Sequence, residues 1–157
     1  MSDAMIANSE ASNVAEGEGE DPVKLPLGGF HHIGITVSDV DASEAWYTRV
    51  LGFERLVVEP HNGADGYALL MHRPGGHLHI GLDNHKANKG EPFAEHRTGL
   101  DHLAIHVEQR GDLDRWTEHL DRLDVPHGVI TERHEPFPFA TLVFRDPDNV
   151  QLELIWA

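Results

Sequence analysis

One stretch of this chain occurs twice. His32-Ile33-Gly34-Ile35-Thr36-Val37 and His102-Leu103-Ala104-Ile105-His106-Val107 align at a spacing of 70 residues, and the same spacing carries Trp46 onto Trp116. A duplication constrains a fold more than local propensity does, because each copy must form the same supersecondary unit. Each apolar run is followed by helical periodicity, "SEAWYTRVLGF" with Ser43 or Asp41 as cap and "LDRWTEHLDRL" with Asp112 as cap. The rest reads as short strands: "FERLVVEP", "YALLMHR" and "HLHIGLD" in the first copy, "GVITERH", "ATLVFR" and "VQLELIW" in the second. "RPGG" and "RDPDN" supply turn residues between them. The fold class that follows is α+β, two βαβββ modules over about 28–90 and 98–157. A polar linker around "HKANKGEPFAEHRTG" joins them into a single domain.

The bulk numbers exclude several partners. The chain has 157 residues, about one domain, and a formal charge of −15 from 27 acids against 12 bases. That sign opposes phosphate backbones and anionic membranes, so neither nucleic acid nor membrane is an expected partner. There is no cysteine, so any metal must be held by nitrogen and oxygen. Residues 1–27, opening "MSDAMIANSEASNVAEGEGEDPVK", read as a disordered acidic tail without the basic start and apolar run of a signal peptide. A cytoplasmic location is expected.

Strand side chains alternate between two faces. Ile33, Ile35 and Val37 form one apolar face and leave His32, Gly34 and Thr36 opposite. Leu103, Ile105 and Val107 likewise oppose His102, Ala104 and His106. In the last strand Glu153 lies between Leu152 and Leu154, and a carboxylate there is costly to bury unless it is paired or holds a cation. If the polar fronts meet in one cavity, His32, His102 and Glu153 form a two-histidine, one-carboxylate metal set with coordination positions left open. Any one of the 13 histidines, taken alone, is adequately explained as a hydrogen-bonded or solvated imidazole; equivalent histidines in a duplicated strand, joined by a front-facing Glu, are not. His31, of opposite parity, is expected at the strand edge.

These residues resemble the vicinal oxygen chelate superfamily of glyoxalase I, fosfomycin-resistance transferases, methylmalonyl-CoA epimerase, extradiol dioxygenases and bleomycin-binding proteins. The resemblance rests on "HHIGITVSDVDASEAWYTRVLGFE", "DHLAIHV" and "FRDPDNVQLELIW" and covers essentially everything after the tail. It implies one metal-binding position on each of four strands. His32, His102 and Glu153 match three of them, and an offset of 72 puts Gly81 at the fourth. Glycine cannot coordinate. His79, two residues earlier on the same face, is the local substitute, with substrate contact as its preferred role. The resemblance also implies a homodimer, because pairing of modules across chains completes the sheets.

A three-ligand site suits Fe2+ or Mn2+ first, with Zn2+, Ni2+ or Co2+ as alternatives, and leaves room for a small oxygen-rich substrate. An extradiol-type dioxygenase is the leading expectation. The alternatives are a glyoxalase-like lyase or isomerase and a metal-free drug-binding protein. His79, His106 and His134 are the candidate acids or bases, since imidazole is the side chain suited to proton transfer near neutral pH. Phe137 and Phe139, in "HEPFPFA", are expected to line the pocket, Trp46 and Trp116 to pack helix on sheet, and Arg145 and Asp146 to belong to a turn.

Overall fold

The computed structural model describes residues 26–63 and 65–157; the expected acidic tail lies, up to residue 25, outside the described residues. The first module runs β1 (Ile33–Thr36), α1 (Val40–Leu51), β2 (Glu54–Pro60), β3 (Gly66–His72) and β4 (His79–His85). The second runs β5 (Leu103–His106), α2 (Arg110–Arg122), β6 (Thr131–Arg133), β7 (Phe139–Arg145) and β8 (Gln151–Trp156). Each makes a four-stranded sheet, ordered β1-β4-β3-β2 and β5-β8-β7-β6, with the first strand of each module parallel to its last. The register bears out the repeat: Gly34 stands beside Gly81 and Ala104 beside Glu153, so Gly81 and Glu153 are equivalent positions. Among the described residues no helix is long and apolar enough to cross a membrane.

Both helices begin earlier than the sequence suggests. Asp39, not Ser43 or Asp41, caps α1, accepting from the Ala42 amide at 3.0 Å. Its competitors lie inside the helix because starting at Val40 buries that side chain and Ser43 together. Gln109 is the N-cap of α2, and Asp112 is the third helical residue, reaching back to the Gln109 amide at 2.9 Å. That reciprocal arrangement satisfies two of the amides left open at a helix start. Gly52 ends α1 at φ +70°, a left-handed turn that favours glycine. The strand expected over 128–134 shrinks to the three residues of β6, preceded by an isolated bridge from His127 to Phe144.

The apolar backs of both sheets join one hydrophobic cluster with the helices. Leu69, Leu82, Leu113, Leu120, Leu142 and Leu152 are wholly buried in it, each worth about 1.5–3 kcal/mol relative to exposure. Trp46 packs on Phe144 of the other module, with ring centroids 6.3 Å apart, and Arg73 lies over the Trp116 ring at 5.6 Å. The tryptophans therefore bridge modules as well as covering their own sheets.

The β7–β8 turn acts as a clamp between modules. Asp146 is buried and accepts from the Tyr47 hydroxyl of α1 at 2.9 Å and from the amides of Asp148 and Val150. Burial raises its carboxyl pKa above the ordinary value. Burial, followed by the Asp146 charge, pushes the Tyr47 hydroxyl well above its own. Asp148 accepts the Ser38 amide with both oxygens at 3.1 Å. Arg145 reaches Glu95 of the linker with two parallel contacts, 3.0 and 3.2 Å, and this pairing lowers the Glu95 pKa. Arg145 and Asp146 do belong to a turn, and that turn fastens the two halves of the chain together.

Candidate metal centres

The fronts of both sheets are left open. His32, Gly34 and Thr36 on one edge, and His102, Ala104 and His106 on the other, are exposed. His102 immediately precedes β5, on the same side as Ala104, and stands two residues from the register position that Ala104 shares with Glu153 of the adjacent strand β8. Asp101 Oδ1 lies 2.7 Å from His102 Nδ1. A carboxylate oxygen can only accept, so the proton sits on Nδ1 and the neutral ring offers a bare lone pair at Nε2, the form a metal needs. Glu153 is half-buried and has no hydrogen-bond or ion-pair partner among the described residues. Nitrogen and carboxylate donors in that state suit a divalent first-row cation.

His32 occupies the equivalent place on the other sheet. It precedes β1 beside His31, their Nδ1 atoms 2.8 Å apart, which leaves Nε2 of His32 uncommitted to protein. Its ring lies over the Gly81 position, where an added Cβ would come 3.9 Å from His32 Cδ2. Within one chain His32 is thus on the first sheet and His102 and Glu153 on the second, and the three are not among the donor groups gathered within 4.8 Å.

Of the other anticipated residues, His106 is on the same face as His102 and lines a cleft of about 660 Å³ with Ala104, Glu108 and the β3–β4 turn. His79 is sandwiched between His31 and His72, with centroids 6.0 and 6.3 Å away. His134 and Phe137 are exposed in the loop before β7; Phe139 is half-buried, its ring 5.9 Å from that of Phe137.

One group escaped the sequence reading. His61, Asp83 and His85 present donor atoms within 4.8 Å of one another, the one such trio found among the described residues. Asp83 and His85 share a face of β4, a relation legible in "LDNH". His61 comes from the turn after β2, brought alongside by the hydrogen bond its backbone N–H donates to the Gly66 carbonyl at 3.0 Å and by pairing of Gly66 with His85.

Comparison with known proteins gives a concordant picture. Residues 29–154 match the model of the Glyoxalase/Bleomycin resistance protein/Dioxygenase superfamily. An uncharacterised Bacillus subtilis protein, YqjT, is 30% identical over 140 residues, covering 80% of this chain and 97% of its own. A catechol-2,3-dioxygenase of the same organism is 34% identical over 83 residues, 53% of this chain and only 28% of that enzyme. Among solved structures, a glyoxylase/bleomycin resistance protein/dioxygenase domain from a Frankia species superimposes with a TM-score of 0.73 at 36% identity, over 84% of this chain and 99% of that one. The fosfomycin resistance protein FosX of Listeria monocytogenes, complexed with Mn(II) and sulfate, shares the fold at 20% identity and a TM-score of 0.59, over 84% and 94%.

Proposed function

We propose that this chain, which belongs to the Glyoxalase/Bleomycin resistance protein/Dioxygenase superfamily, is a divalent-metal-dependent enzyme for a small oxygen-rich substrate, in the first instance an extradiol-type dioxygenase. Its metal ligands are His32, His102 and Glu153. A cation bound there would grip two neighbouring substrate oxygens and stabilise the negative charge that develops on them. The observation that carries this reading is the state of the second sheet's front: an unpartnered half-buried carboxylate beside an imidazole whose Nδ1 is tied to Asp101. The stretch shared with a catechol-2,3-dioxygenase favours oxygenase chemistry over proton transfer.

Because the donors lie on two sheets whose fronts are open, the set is completed in a homodimer, His32 of one copy facing His102 and Glu153 of another. Fe2+ and Mn2+ are the preferred ions. His106, on the same face as His102, is the residue to take or return a substrate proton, with His79 and His134 less well placed by their stacking and their loop position. Phe139 supplies apolar wall and Phe137 a solvent-facing edge for the substrate ring.

The test is metal analysis together with dioxygen uptake on catechol-like compounds under Fe(II). Wild type is expected to consume dioxygen, and Glu153→Gln to lose both the ion at this site and the activity. Turnover of an α-hydroxy or α-keto substrate without dioxygen uptake would replace the oxygenase with a lyase or isomerase, and drug binding without metal would end the enzymatic reading.

A further inference from the structure

We propose that His61, Asp83 and His85 form a second cation site, contained within one chain and confined to the first module. It is independent of the ligand set proposed above and shares no residue with it. The donors are two imidazoles and a carboxylate, a combination that holds first-row divalent cations such as Zn2+ at about 2.0–2.2 Å and leaves a position open for water or an oxygen ligand. Donor atoms around one ion sit roughly 3–3.5 Å apart at such bond lengths. The observed spread, within 4.8 Å, therefore closes by side-chain rotation of roughly an ångström.

The surrounding backbone is cleared for this cluster. Asp83 Oδ2 lies over Gly34 and Gly81, where an added Cβ would be 2.9 and 3.3 Å from it, so the paired glycines of β1 and β4 make the carboxylate's berth. Gly66 does the same for the imidazole: a Cβ there would stand 3.0 Å from His61 Nδ1 and collide with the Asn84 carbonyl. Asp83 Oδ1 is 2.9 Å from His61 Nε2, and the His85 ring lies alongside His61 with centroids 4.6 Å apart. The side chains of His61 and Asp83 are only 19% and 21% exposed, and His61 Nδ1 is buried without a hydrogen-bond partner. In the absence of an ion one proton alone joins His61 to Asp83, and His85 makes no use of its position. A cation replacing that proton engages all three groups. The second module has nothing comparable, since the offset that equates Gly81 with Glu153 puts Ile155 and Ala157 where Asp83 and His85 stand.

The experiment is calorimetric titration of chelator-stripped full-length protein with Zn2+, with circular dichroism to confirm that each variant is folded. Wild type is expected to take two ions per chain and Glu153→Gln one. Adding His85→Ala or Asp83→Asn to Glu153→Gln should weaken the remaining site about 100-fold, at or beyond the upper end of the loss caused by removing an outer partner. His79→Ala, which disturbs the separate stack of His31, His79 and His72, should leave it unchanged. If Glu153→Gln binds no Zn2+, or if its titration is unaltered by both His85→Ala and Asp83→Asn, the trio is a hydrogen-bonded cluster only and the proposal is wrong. The two assignments fail separately: one ion lost with His85→Ala but kept in Glu153→Gln sinks the active-site ligand set, and the reverse sinks this one.

Discussion

The two modules have like backs and unlike fronts. On the backs, Leu69 and Leu82 of the first sheet and Leu142 and Leu154 of the second are equally buried, because both faces must seal the same hydrophobic cluster. On the fronts, the first sheet has Gly81 where the second has Glu153, and it carries the imidazoles of His72, His79 and His85 on β3 and β4, whereas β7 and β8 carry none. Packing fixes the first face and leaves the other free to take on chemistry. Of the ligand sets proposed above, one is shared between the two kinds of sheet and the other belongs to the first alone.

If the backs are equivalent, truncation should hurt either module alike. Leu69→Ala and Leu142→Ala, both at fully buried positions, should each cost about 2–5 kcal/mol in denaturant unfolding. A single cooperative transition is expected for both. Two transitions, or a loss confined to one half, would show that the modules fold as separate units.

The clamp breaks the symmetry. Tyr47 donates to Asp146 across the modules, while Thr117, its equivalent at the repeat spacing, only donates back to its own helix at Leu113. Tyr47→Phe should cost about 1–3 kcal/mol, since it strips a donor from a buried carboxyl. Thr117→Val should cost much less, and equal losses in thermal unfolding would deny the turn its special role.

The histidine supports also differ: Asp101 holds His102 where His31 holds His32. Asp101→Asn is expected to weaken the ion at the shared site by roughly 10–100-fold, the usual effect of removing a carboxylate behind a ligating imidazole. His31→Asn should do less, because an imidazole orients its neighbour without adding negative charge. Competition with a chelator measures both.

The smallest effect belongs to a clasp of the second module alone. His127 faces the Gly128 carbonyl at 2.7 Å and Asp121 at 3.1 Å; both partners are acceptors, so the doubly protonated ring is favoured. The Gly128 carbonyl first, then Asp121, raises its pKa above 6.5. The folded state thus holds this proton more tightly than the unfolded chain does. The added stability is full below about 6.5 and is lost as the pH rises through the folded value. His127→Gln should flatten that slope, which is worth well under about 1 kcal/mol because the Asp121 carboxylate is solvent-exposed and screened.

The duplication, the parity of the strands and the glycine at the position equivalent to Glu153 were legible in the sequence because each follows from a period of two and a fixed offset. The helix starts were not, because Asp39, Asp41 and Ser43 are all competent caps and burial of Val40 decides among them. Asp146 reads as an ordinary turn residue until the partner hydroxyl, 99 positions away, is known. His61 was hidden for the same reason: "PHNGADG" looks like a loop, and only the hairpin register carries its ring to Asp83 and His85.

The central claim is that His32 of one copy meets His102 and Glu153 of another, and mixing complementary variants tests it most directly. His32→Ala and Glu153→Gln chains, each also carrying Asp83→Asn to silence the second site, are unfolded together, refolded and titrated with Fe2+ or Mn2+. Each alone should bind no ion at the shared site. Random pairing in a symmetric dimer restores one intact site in each mixed pair, about a quarter of the wild-type number. Recovery near that level is the predicted result, and a mixture as empty as its parents would contradict the account.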